Sequence, residues 1–594
     1  MAFTNVPIGG NINTKIWEPL EISLEASGDF VSPYTEVSVW IDLTGPAFRK
    51  RVYGFWNGGR AFCIRLTAPR VGEWTWFSNS NTADIGLNGR SGRILAEPQT
   101  ADDVSANPNR RGMIGISADG RGLQYADGTP FFLIGDTWWS VPTFKFPLPQ
   151  GERHHAIGPD ADVRDYLEFR RGQGYNCVAL LAAMPAWATD GFDSDLYDDE
   201  GTLLRNAWRK PNSRSPMSMH NEGGRPFLFP GKVPGFEEVV PDYDRVNPEF
   251  FKILDRKMES IDDAGFVPFI EVARRDTGPA WKKYHDWPNS YVRYVQYVFA
   301  RYQAQNAIFS PIHYDYYLKT IPAHEYNEPC NAVIEQFGRP PFGTLLSANS
   351  NPSTLANFGE DGRWLDLHQT GNTREHYSYW WMAEMYHSKP TRPALAGEPY
   401  YSGLYNLGTP YTLGKEGDTP EDDAYVRSGM YGSLLNGGYA GYIYGAEGIW
   451  QSAVEEGSRV FMWDAFKWSS GATVQHLKTF AFVRGTDYRA LVPCSDSLAN
   501  ARNGPDLGYE GWAYAAGASD RSWYLLYFEP DCADAIRLRG FSGPESYRLT
   551  WFDPRSGQWS EPGGIVTVSA DTSLHLPALP DRQDWGLMLE RVSF

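Results

Sequence analysis

The chain has 594 residues, a length that predicts about three domains. Its formal net charge of −18 argues against nucleic acid and an anionic membrane surface as partners. It also disfavours highly anionic polysaccharides as ligands, unless a local basic cleft exists. The five cysteines are widely spaced, and no CxxC or Cys/His cluster occurs, so we expect neither a metal site nor a disulfide framework.

The beginning of the chain has no basic segment followed by an apolar one, and no run approaches transmembrane length. We therefore expect a soluble, cytoplasmic protein. A secreted protein whose signal peptide has been removed is the alternative. No cofactor is expected, and the sequence leaves open whether the protein is a homo-oligomer.

Residues 1–105 have an all-β pattern. Alternating segments such as 36–42 and 61–66 are separated by glycine and proline, which predicts an N-terminal β-sandwich. Residues 107–112 are interpreted as the linker to the next domain.

Residues 112–485 alternate strand-like and helical segments, which favours a central (β/α)8 TIM barrel with catalytic residues at the C-terminal strand ends. A doubly wound open sheet is the alternative, but no GxGxxG follows the first strand. Helices are predicted at 163–174 and 247–265, around a Gly/Pro-rich insertion at 185–246. The predicted strands are 131–139, 175–181, 266–271, one ending at Asp315, one near 364–367, one ending at Glu398, and 440–445.

Residues 490–594 return to a β-type pattern, with strand-like segments at 522–528, 547–552 and 584–589. We interpret them as a C-terminal β-sandwich. The predicted fold is therefore multidomain α/β plus β, a TIM barrel flanked by two sandwiches.

Two carboxylates follow apolar segments of the predicted barrel. Glu398 follows the apolar stretch 393–396 and a glycine, and Asp315 follows the strand-like stretch 307–309 and two aromatic residues. Two carboxylates that flank a glycosidic bond can cleave it. We therefore predict that Asp315 and Glu398 are catalytic, although a helix N-cap or a solvated loop is the alternative for Asp315.

Other polar and aromatic residues near predicted strand ends are candidates for binding substrate. Asp136 could instead be a capping residue, one of the two tryptophans could be core, and Glu271 with Arg274 could be a structural ion-pair network. Glu447 is the main rival carboxylate. The predicted substrate-binding residues are Asp136, Trp138, Trp139, Glu271, Arg274, His313, Tyr314, Gln369, Asn372, Tyr400, Glu447 and Trp450.

Several motifs together resemble the apiosidase-like glycoside hydrolases, of the family 140 type. They are FFLIGDTWW (131–139), VNPEFFKILDRKMESIDDAG (246–265), HQTGN (368–372), RPALAGEP (392–399) and AGYIYGAEGIW (440–450). GFWNGG and RLTAPRVGEWTW resemble the β-sandwich of unknown function that precedes such barrels. TWFDPRSGQW resembles a C-terminal collagen-binding-type sandwich.

The resemblance implies an acid/base after strand four, at Asp315, and a nucleophile after strand seven, at Glu398, as in clan A-like retaining enzymes. His313-Tyr314-Asp315 stands where the family has Gly-Gly-Asp, and Asn372 stands where its QSGH-like motif has histidine. These departures make it less certain that this chain shares the family's substrate, apiose. They affect the expectation of glycoside hydrolysis less.

The expected function is a retaining, exo-acting glycoside hydrolase that removes a terminal sugar from an oligosaccharide or plant glycoside. In this mechanism Asp315 needs a raised pKa. We expect desolvation by Tyr314, Tyr316 and Phe309 to raise it, and the charge of Glu398 to act in the same direction. The alternatives are a non-catalytic carbohydrate-binding protein and a polysaccharide lyase. A lyase would use the two arginines at 274–275 for a uronate and His313 or Tyr314 as base.

Overall fold

The computed structural model describes residues 3–151, 154–183, 198–202, 220–237, 240–316, 320–372, 378–404, 414–499 and 511–592. Its central part is a parallel sheet of eight strands in the order β5-β4-β3-β2-β1-β8-β7-β6. Strands that follow one another in the chain are therefore neighbours in the sheet, except β5 and β6, which are its two end strands. The strands are β1 (Leu133–Thr137), β2 (Cys177–Leu181), β3 (Val267–Glu271), β4 (Ile308–Ser310), β5 (Leu345–Leu346), β6 (His368–Thr370), β7 (Ala394–Ala396) and β8 (Gly441–Tyr444).

The sheet curls so that its two end strands, β5 and β6, approach each other. The backbone N–H of Asp366, just before β6, donates to the carbonyl of Leu346 at 2.8 Å. Beyond the strands, the N–H of Gly371 donates to the carbonyl of Ser350 at 2.7 Å. This strand order and curvature are those of a TIM-like barrel.

Helices follow most of the strands. The second of them begins at the N-cap Asn247, whose side chain accepts from Glu249 N–H, and it ends before Gly265, which has φ +76°. The main helices are α1 (Val163–Gly172), α2 (Pro248–Asp263), α3 (Asn289–Tyr302), α4 (Asn327–Phe337), α5 (Ser378–His387) and α6 (Pro420–Leu435). Shorter helices are Gly278–Tyr284, Thr354–Phe358, Met462–Ala465, Ser469–Thr473 and Gln475–Ala481.

Side chains on each strand alternate between two cores. One core lies inside the curled sheet and contains Leu133, Trp139, Cys177, Ala179, Val267, Phe269, Ile308, Leu345, Leu395 and Ile443. The other lies between the sheet and the helices and contains Ile134, Trp138, Val178, Ile270, Phe309 and Tyr442. This alternation decides which strand-end side chains can reach the interior of the sheet.

Two sheets that enclose one core precede the central sheet. The core takes residues from both sheets, including Leu20, Ile22, Ile41, Trp74 and Ile94. The four-stranded sheet has Thr4–Asn5, Leu20–Glu25, Ala61–Leu66 and Phe55–Trp56, and the five-stranded sheet has Asn11–Lys15, Ser91–Glu97, Gly72–Ser80, Val39–Gly45 and Phe48–Tyr53.

The C-terminal part is also rich in β-structure. Its larger sheet contains Leu491–Pro493, Ala513–Ala518, Trp523–Phe528, Trp585–Val592, Ser546–Asp553, Gln558–Trp559 and Ile565–Thr567. A three-stranded sheet of Leu498–Ala499, Arg537–Leu538 and Leu574–His575 shares its core.

Two strands of the central sheet differ from the sequence-based predictions. The strand predicted near 364–367 is β6, a few residues later, and β5 was not predicted because it has only two residues. Most of the predicted insertion at 185–246 lies outside the described residues. Within the described part of the chain, no helix has the length and apolar character needed to span a membrane.

Candidate active site

Short strands beyond β4 and β5 position the polar residues of the site. After β4 the chain forms a second strand, His313–Tyr314, which pairs in parallel with Asn349–Ser350. His313 also makes a parallel bridge to Arg274, which follows β3. The ends of β3, β4 and β5 are therefore held side by side.

The structure brings the two predicted catalytic carboxylates together. One oxygen of Asp315, one oxygen of Glu398 and one ring nitrogen of His313 all lie within 4.8 Å of one another. Both carboxylates are buried, with 7% and 6% of their surface exposed. This arrangement could hold a sugar acetal between two carboxyl groups.

Glu398 accepts hydrogen bonds from two neutral donors. Asn349 Nδ2 donates to its Oε2 at 2.9 Å, and Tyr401 OH donates to its Oε1 at 2.9 Å. Gln369, on the inner face of β6, packs against Gly397, where a Cβ would lie 2.0 Å from Gln369 Nε2. Because residue 397 is a glycine, the side chain of Gln369 can approach the loop that carries Glu398.

Asp315 has a strongly cationic environment. Arg274 Nη2 donates to its Oδ2 at 3.1 Å, Arg275 Nη1 donates to its Oδ1, and His313 Nε2 lies 3.5 Å from the same Oδ1. Burial alone would raise the pKa of Asp315, but the two arginines and His313 outweigh it and hold the pKa well below its usual range. The expected raised pKa is therefore wrong, because that prediction considered the aromatic neighbours without the arginines.

His313 lies between Asp315 and a third carboxylate. Its Nδ1 is 3.8 Å from Oε2 of Glu271, the last residue of β3, and its ring contacts Trp139 edge-on with centroids 4.8 Å apart. Burial raises the pKa of Glu271. Burial alone would lower the pKa of His313, but Asp315 and Glu271 outweigh it and raise that pKa to about 9. The predicted residues Glu271, Arg274, His313 and Trp139 thus lie beside the carboxylate pair.

Asp136 and Trp138 lie on the other face of β1, away from the carboxylate pair. Asp136 Oδ2 accepts from Arg170 Nε of α1 at 2.6 Å, and both side chains are almost fully buried. Trp138 packs against Phe146, Tyr166 and Phe466 in the outer core. The prediction that these two residues bind substrate is therefore wrong. Side chains alternate between the two faces of the strand, and both of these side chains point towards the helices.

Two predicted tyrosines also point away from the carboxylate pair. Tyr314 OH donates to the carbonyl of Ile321, and its ring packs against Tyr326. Tyr400 OH donates to Asp422 Oδ1 at 2.7 Å, so it anchors the loop after β7 to α6. The contact with Glu398 is made by the next residue, Tyr401, which the sequence analysis did not select.

Glu447, Trp450 and Asn372 lie on the loops after β8 and β6. Glu447 accepts from Gln451 Nε2 at 3.0 Å and lies 3.4 Å from Arg459 Nη2. Its backbone N–H donates to the carbonyl of Ser402, which ties the loop after β8 to the loop after β7. Trp450 is half-buried, and Asn372 has φ +46°.

Asn349 and Tyr401 were not predicted from the sequence as neighbours of Glu398. Asn349 comes shortly after β5, so recognition of that strand would have placed an amide at the same edge of the sheet. Tyr401 follows Glu398 by three residues in a turn, and no periodic pattern separates it from Tyr400.

Three groups of described residues could hold a metal ion by their spacing. One is His313, Asp315 and Glu398, in which arginines already balance the charge of Asp315. In the second, His155, Asp162 and Asp165, the two carboxylates form the N-terminal capping box of α1. In the third, Asp242, Asp244 and His285, Lys232 Nζ pairs with both carboxylates.

A family comparison matches the central sheet and its helices. The model for the apiosidase-like catalytic domain covers residues 117–485, more than half of the chain. The chain belongs to the apiosidase-like catalytic domain family. It is therefore a glycoside hydrolase, as its motifs predicted. Residues 13–81 match a domain of unknown function, DUF5060, which agrees with the resemblance seen in the N-terminal segment.

Solved structures support the fold. A chain from Bacteroides vulgatus described as a "putative glycoside hydrolase" is 16% identical with a TM-score of 0.64, and the alignment covers 98% of this chain and 100% of that one. A glycoside hydrolase family 5 structure from the same organism is 17% identical with a TM-score of 0.55, covering 82% and 94%. No curated protein matches the chain. At these identities the structures establish the architecture alone.

Proposed function

We propose that this protein is a retaining glycosidase in which Glu398 is the nucleophile and Asp315 is the acid/base. Glu398 would attack the anomeric carbon while Asp315 protonates the departing oxygen. Water activated by Asp315 would then release the sugar from Glu398. We take the curled sheet as a closed barrel whose C-terminal strand ends form the cleft.

The separation of the two carboxylates carries this proposal. Retaining enzymes hold their carboxyl groups about 5–5.5 Å apart, whereas inverting enzymes leave roughly 6.5–9.5 Å for a water molecule. One oxygen of Asp315 lies within 4.8 Å of one oxygen of Glu398, and this short approach supports the retaining rather than the inverting geometry. The family membership supports the same reaction class.

The nucleophile is tested with a panel of 4-nitrophenyl glycosides. We expect Glu398→Gln to remove turnover because the amide cannot form a stable glycosyl-enzyme. The fold should be kept, since the amide oxygen can accept from Asn349 Nδ2 while the amide NH2 donates to the hydroxyl oxygen of Tyr401. The anomer released first by wild type, followed by NMR, should have the configuration of the substrate. Activity of the variant within tenfold of wild type would rule out the assignment.

The acid/base role of Asp315 is tested separately. We expect Asp315→Ala to lose most activity on substrates whose leaving group needs a proton, and little of the first step on 2,4-dinitrophenyl glycosides, which need none. Equal losses on both substrates, measured by pre-steady-state release of the phenol, would contradict a proton-transfer role.

Exo action also remains a proposal. The flanking domains contact the barrel through its helices, as in the pairs Arg65–Asp255 on α2 and Arg427–Asp584 on α6. These contacts do not themselves form a wall at the strand ends. Product analysis on oligosaccharides of graded length decides the point, because exo action releases one terminal unit per turnover.

A further inference from the structure

A cluster of polar side chains lies where the insertion meets the helices that follow β3. Asp242 and Asp244 belong to the strand Asp242–Val246, which pairs with an earlier strand of the same insertion. His285 directly follows the short helix Gly278–Tyr284. One oxygen of each carboxylate and one ring nitrogen of His285 lie within 4.8 Å of one another. This cluster shares no residue with the carboxylate pair of the candidate active site.

His285 presents a buried imidazole to the two carboxylates. None of its side chain is exposed, and its Nδ1 lies 3.5 Å from Asp244 Oδ2. Neither ring nitrogen forms a hydrogen bond within the described part of the chain. A buried polar atom without a hydrogen bond is costly, and such atoms often mark the place of a ligand or an ion. The ring is therefore directed at two carboxylates without being satisfied by them.

Asp244 is oriented by neighbours that leave one of its oxygens for a ligand. Its Oδ1 accepts from Ser290 Oγ at 2.7 Å and from Arg293 Nη1 at 2.8 Å. Its Oδ2 faces His285 and the ammonium group of Lys232. In metal sites, hydrogen bonds from outer residues fix the orientation of a ligating carboxylate in this way. Ser290 and Arg293, both on α3, would therefore support a metal ligand from outside.

We propose that Asp242, Asp244 and His285 bind a divalent transition-metal ion such as Zn²⁺, at the position that the ammonium group of Lys232 now takes. Nζ of Lys232 lies 2.5 Å from Asp244 Oδ2 and 3.3 Å from Asp242 Oδ1, so the two oxygens already hold a cation between them. The side chain of Lys232 is 40% exposed and flexible, so it can move into solvent when an ion binds.

The donor atoms select the class of ion. Zn²⁺ takes imidazole nitrogen and carboxylate oxygen at about 2.0–2.2 Å, so two of its tetrahedral ligands are about 3.4 Å apart. The 3.5 Å between His285 Nδ1 and Asp244 Oδ2 matches this spacing. Ca²⁺ instead prefers a larger shell made of oxygen atoms alone. Three protein ligands would leave the fourth position of a zinc ion to water.

A bound ion would clamp the insertion to the barrel. Asp242 and Asp244 come from the insertion, whereas His285 ends the helical segment that follows Arg274 and Arg275. An ion held by the folded chain and not by the unfolded one raises stability by mass action. Metal binding would therefore stabilise the segment after β3 without contacting a substrate.

Isothermal titration calorimetry with ZnCl₂ tests the site on the full chain, freed of metal with a chelator and carrying no affinity tag. We expect one Zn²⁺ to bind per chain, at least tenfold more tightly than Ca²⁺. The melting temperature should rise with the Zn²⁺ concentration. Failure to bind Zn²⁺, or equal affinity for Ca²⁺, would overturn the inference.

Variants identify the ligands and the competing lysine. His285→Gln and Asp242→Asn should each weaken Zn²⁺ binding tenfold or more, because each removes a ligand. Lys232→Ala should have the opposite effect and tighten binding at least threefold, since its ammonium group competes for the same oxygens. His155→Gln, beside the capping box of α1, is the matched control and should leave Zn²⁺ binding unchanged. Thermal unfolding without metal checks that each variant is folded.

The same variants exclude other positions for the ion. If His155→Gln or His313→Gln abolished Zn²⁺ binding and His285→Gln did not, the ion would lie in another of the three groups and the inference would be wrong. If Lys232→Ala weakened binding, the ion would not take the position of the ammonium group, which would also contradict the proposed site. These measurements involve no turnover, so their outcome does not depend on the proposed glycosidase reaction.

Discussion

Asp315 and Glu398 lie side by side, and Arg274 and Arg275 interact electrostatically with both, but the hydrogen bonds to the two carboxylates differ. Glu398 accepts from an amide and a phenol, whereas Asp315 accepts from two guanidinium groups. Neutral donors stabilise a carboxylate less strongly than a cation does, so these two hydrogen bonds suit the proposed attack of Glu398 in the first step. The arginines keep Asp315 ionised, which suits the base role that we propose for it in the second step.

Asp136 offers a residue-level test that separates structure from catalysis. We expect Asp136→Asn to lower the free energy of unfolding by about 3–5 kcal/mol, because it leaves the buried Arg170 charge without its partner. KM and kcat at 25 °C should stay within about twofold of wild type, since the side chain faces the helices. The measurements are urea unfolding and steady-state kinetics.

Arg170→Gln is the matched variant for this pair. It should reproduce the loss of stability with equally small kinetic effects, because it breaks the same contact from the other side. If Asp136→Asn raised KM tenfold and Arg170→Gln did not, Asp136 would bind the substrate after all.

At the scale of elements, the sequence predicted the alternating order of strands and helices and the strand that presents Glu398. The strand β5 was not predicted, because two residues carry no periodic pattern. As a consequence, Asn349, which follows β5, was not predicted as a site residue. The period-two alternation of β1 directs Asp136 outward, although its position at a strand end suggested the site. The contact between Arg275 and Asp315 joins residues forty apart in sequence, and its geometry depends on packing that no local pattern encodes.

The loop that carries Glu398 is anchored to the start of α6 by Asp422. This carboxylate accepts from Tyr400 OH at 2.7 Å, from Gly403 N–H at 2.8 Å and from Ser402 Oγ. Burial raises the pKa of Asp422 to about 6. The anchoring residue therefore changes its charge within the pH range in which such an enzyme is assayed.

Asp422→Asn tests this anchor through the pH dependence of stability. Because the folded-state pKa exceeds the unfolded one, wild type loses stability as pH rises from about 4 to about 6, by up to about 3 kcal/mol, and little beyond. The variant cannot ionise, so its melting temperature relative to wild type should rise across that window. Glu421→Gln, at an exposed neighbour, should show no such trend, and a flat difference for Asp422→Asn would contradict the buried titration.

At the scale of the whole molecule, buried ion pairs join the flanking domains to the central one. In the N-terminal domain, Arg65 pairs with Asp255 of α2 at 2.6 Å, and Arg301 of α3 pairs with the same carboxylate at 2.7 Å. In the C-terminal domain, Asp584 pairs with Arg427 of α6 at 2.6 Å. Because an unpaired buried charge is costly, separation of any domain would be strongly unfavourable, so we expect them to unfold together.

The pair between Arg427 and Asp584 tests this coupling. Asp584→Asn should lower the free energy of unfolding by about 3–5 kcal/mol, because the buried Arg427 then loses the carboxylate that accepts two of its hydrogen bonds. Since α6 belongs to the catalytic domain and also supports the Glu398 loop through Asp422, thermal loss of glycosidase activity should shift with calorimetric unfolding, as one transition.

Asp553→Asn is the control for that substitution. It removes a carboxylate from Arg555 at the surface of the same domain, where a pair contributes at most about 1 kcal/mol. The control should therefore leave both the calorimetric transition and the activity loss near those of wild type. If Asp584→Asn instead produced two separate transitions, with activity lost at the wild-type temperature, the C-terminal domain would not stabilise the catalytic one.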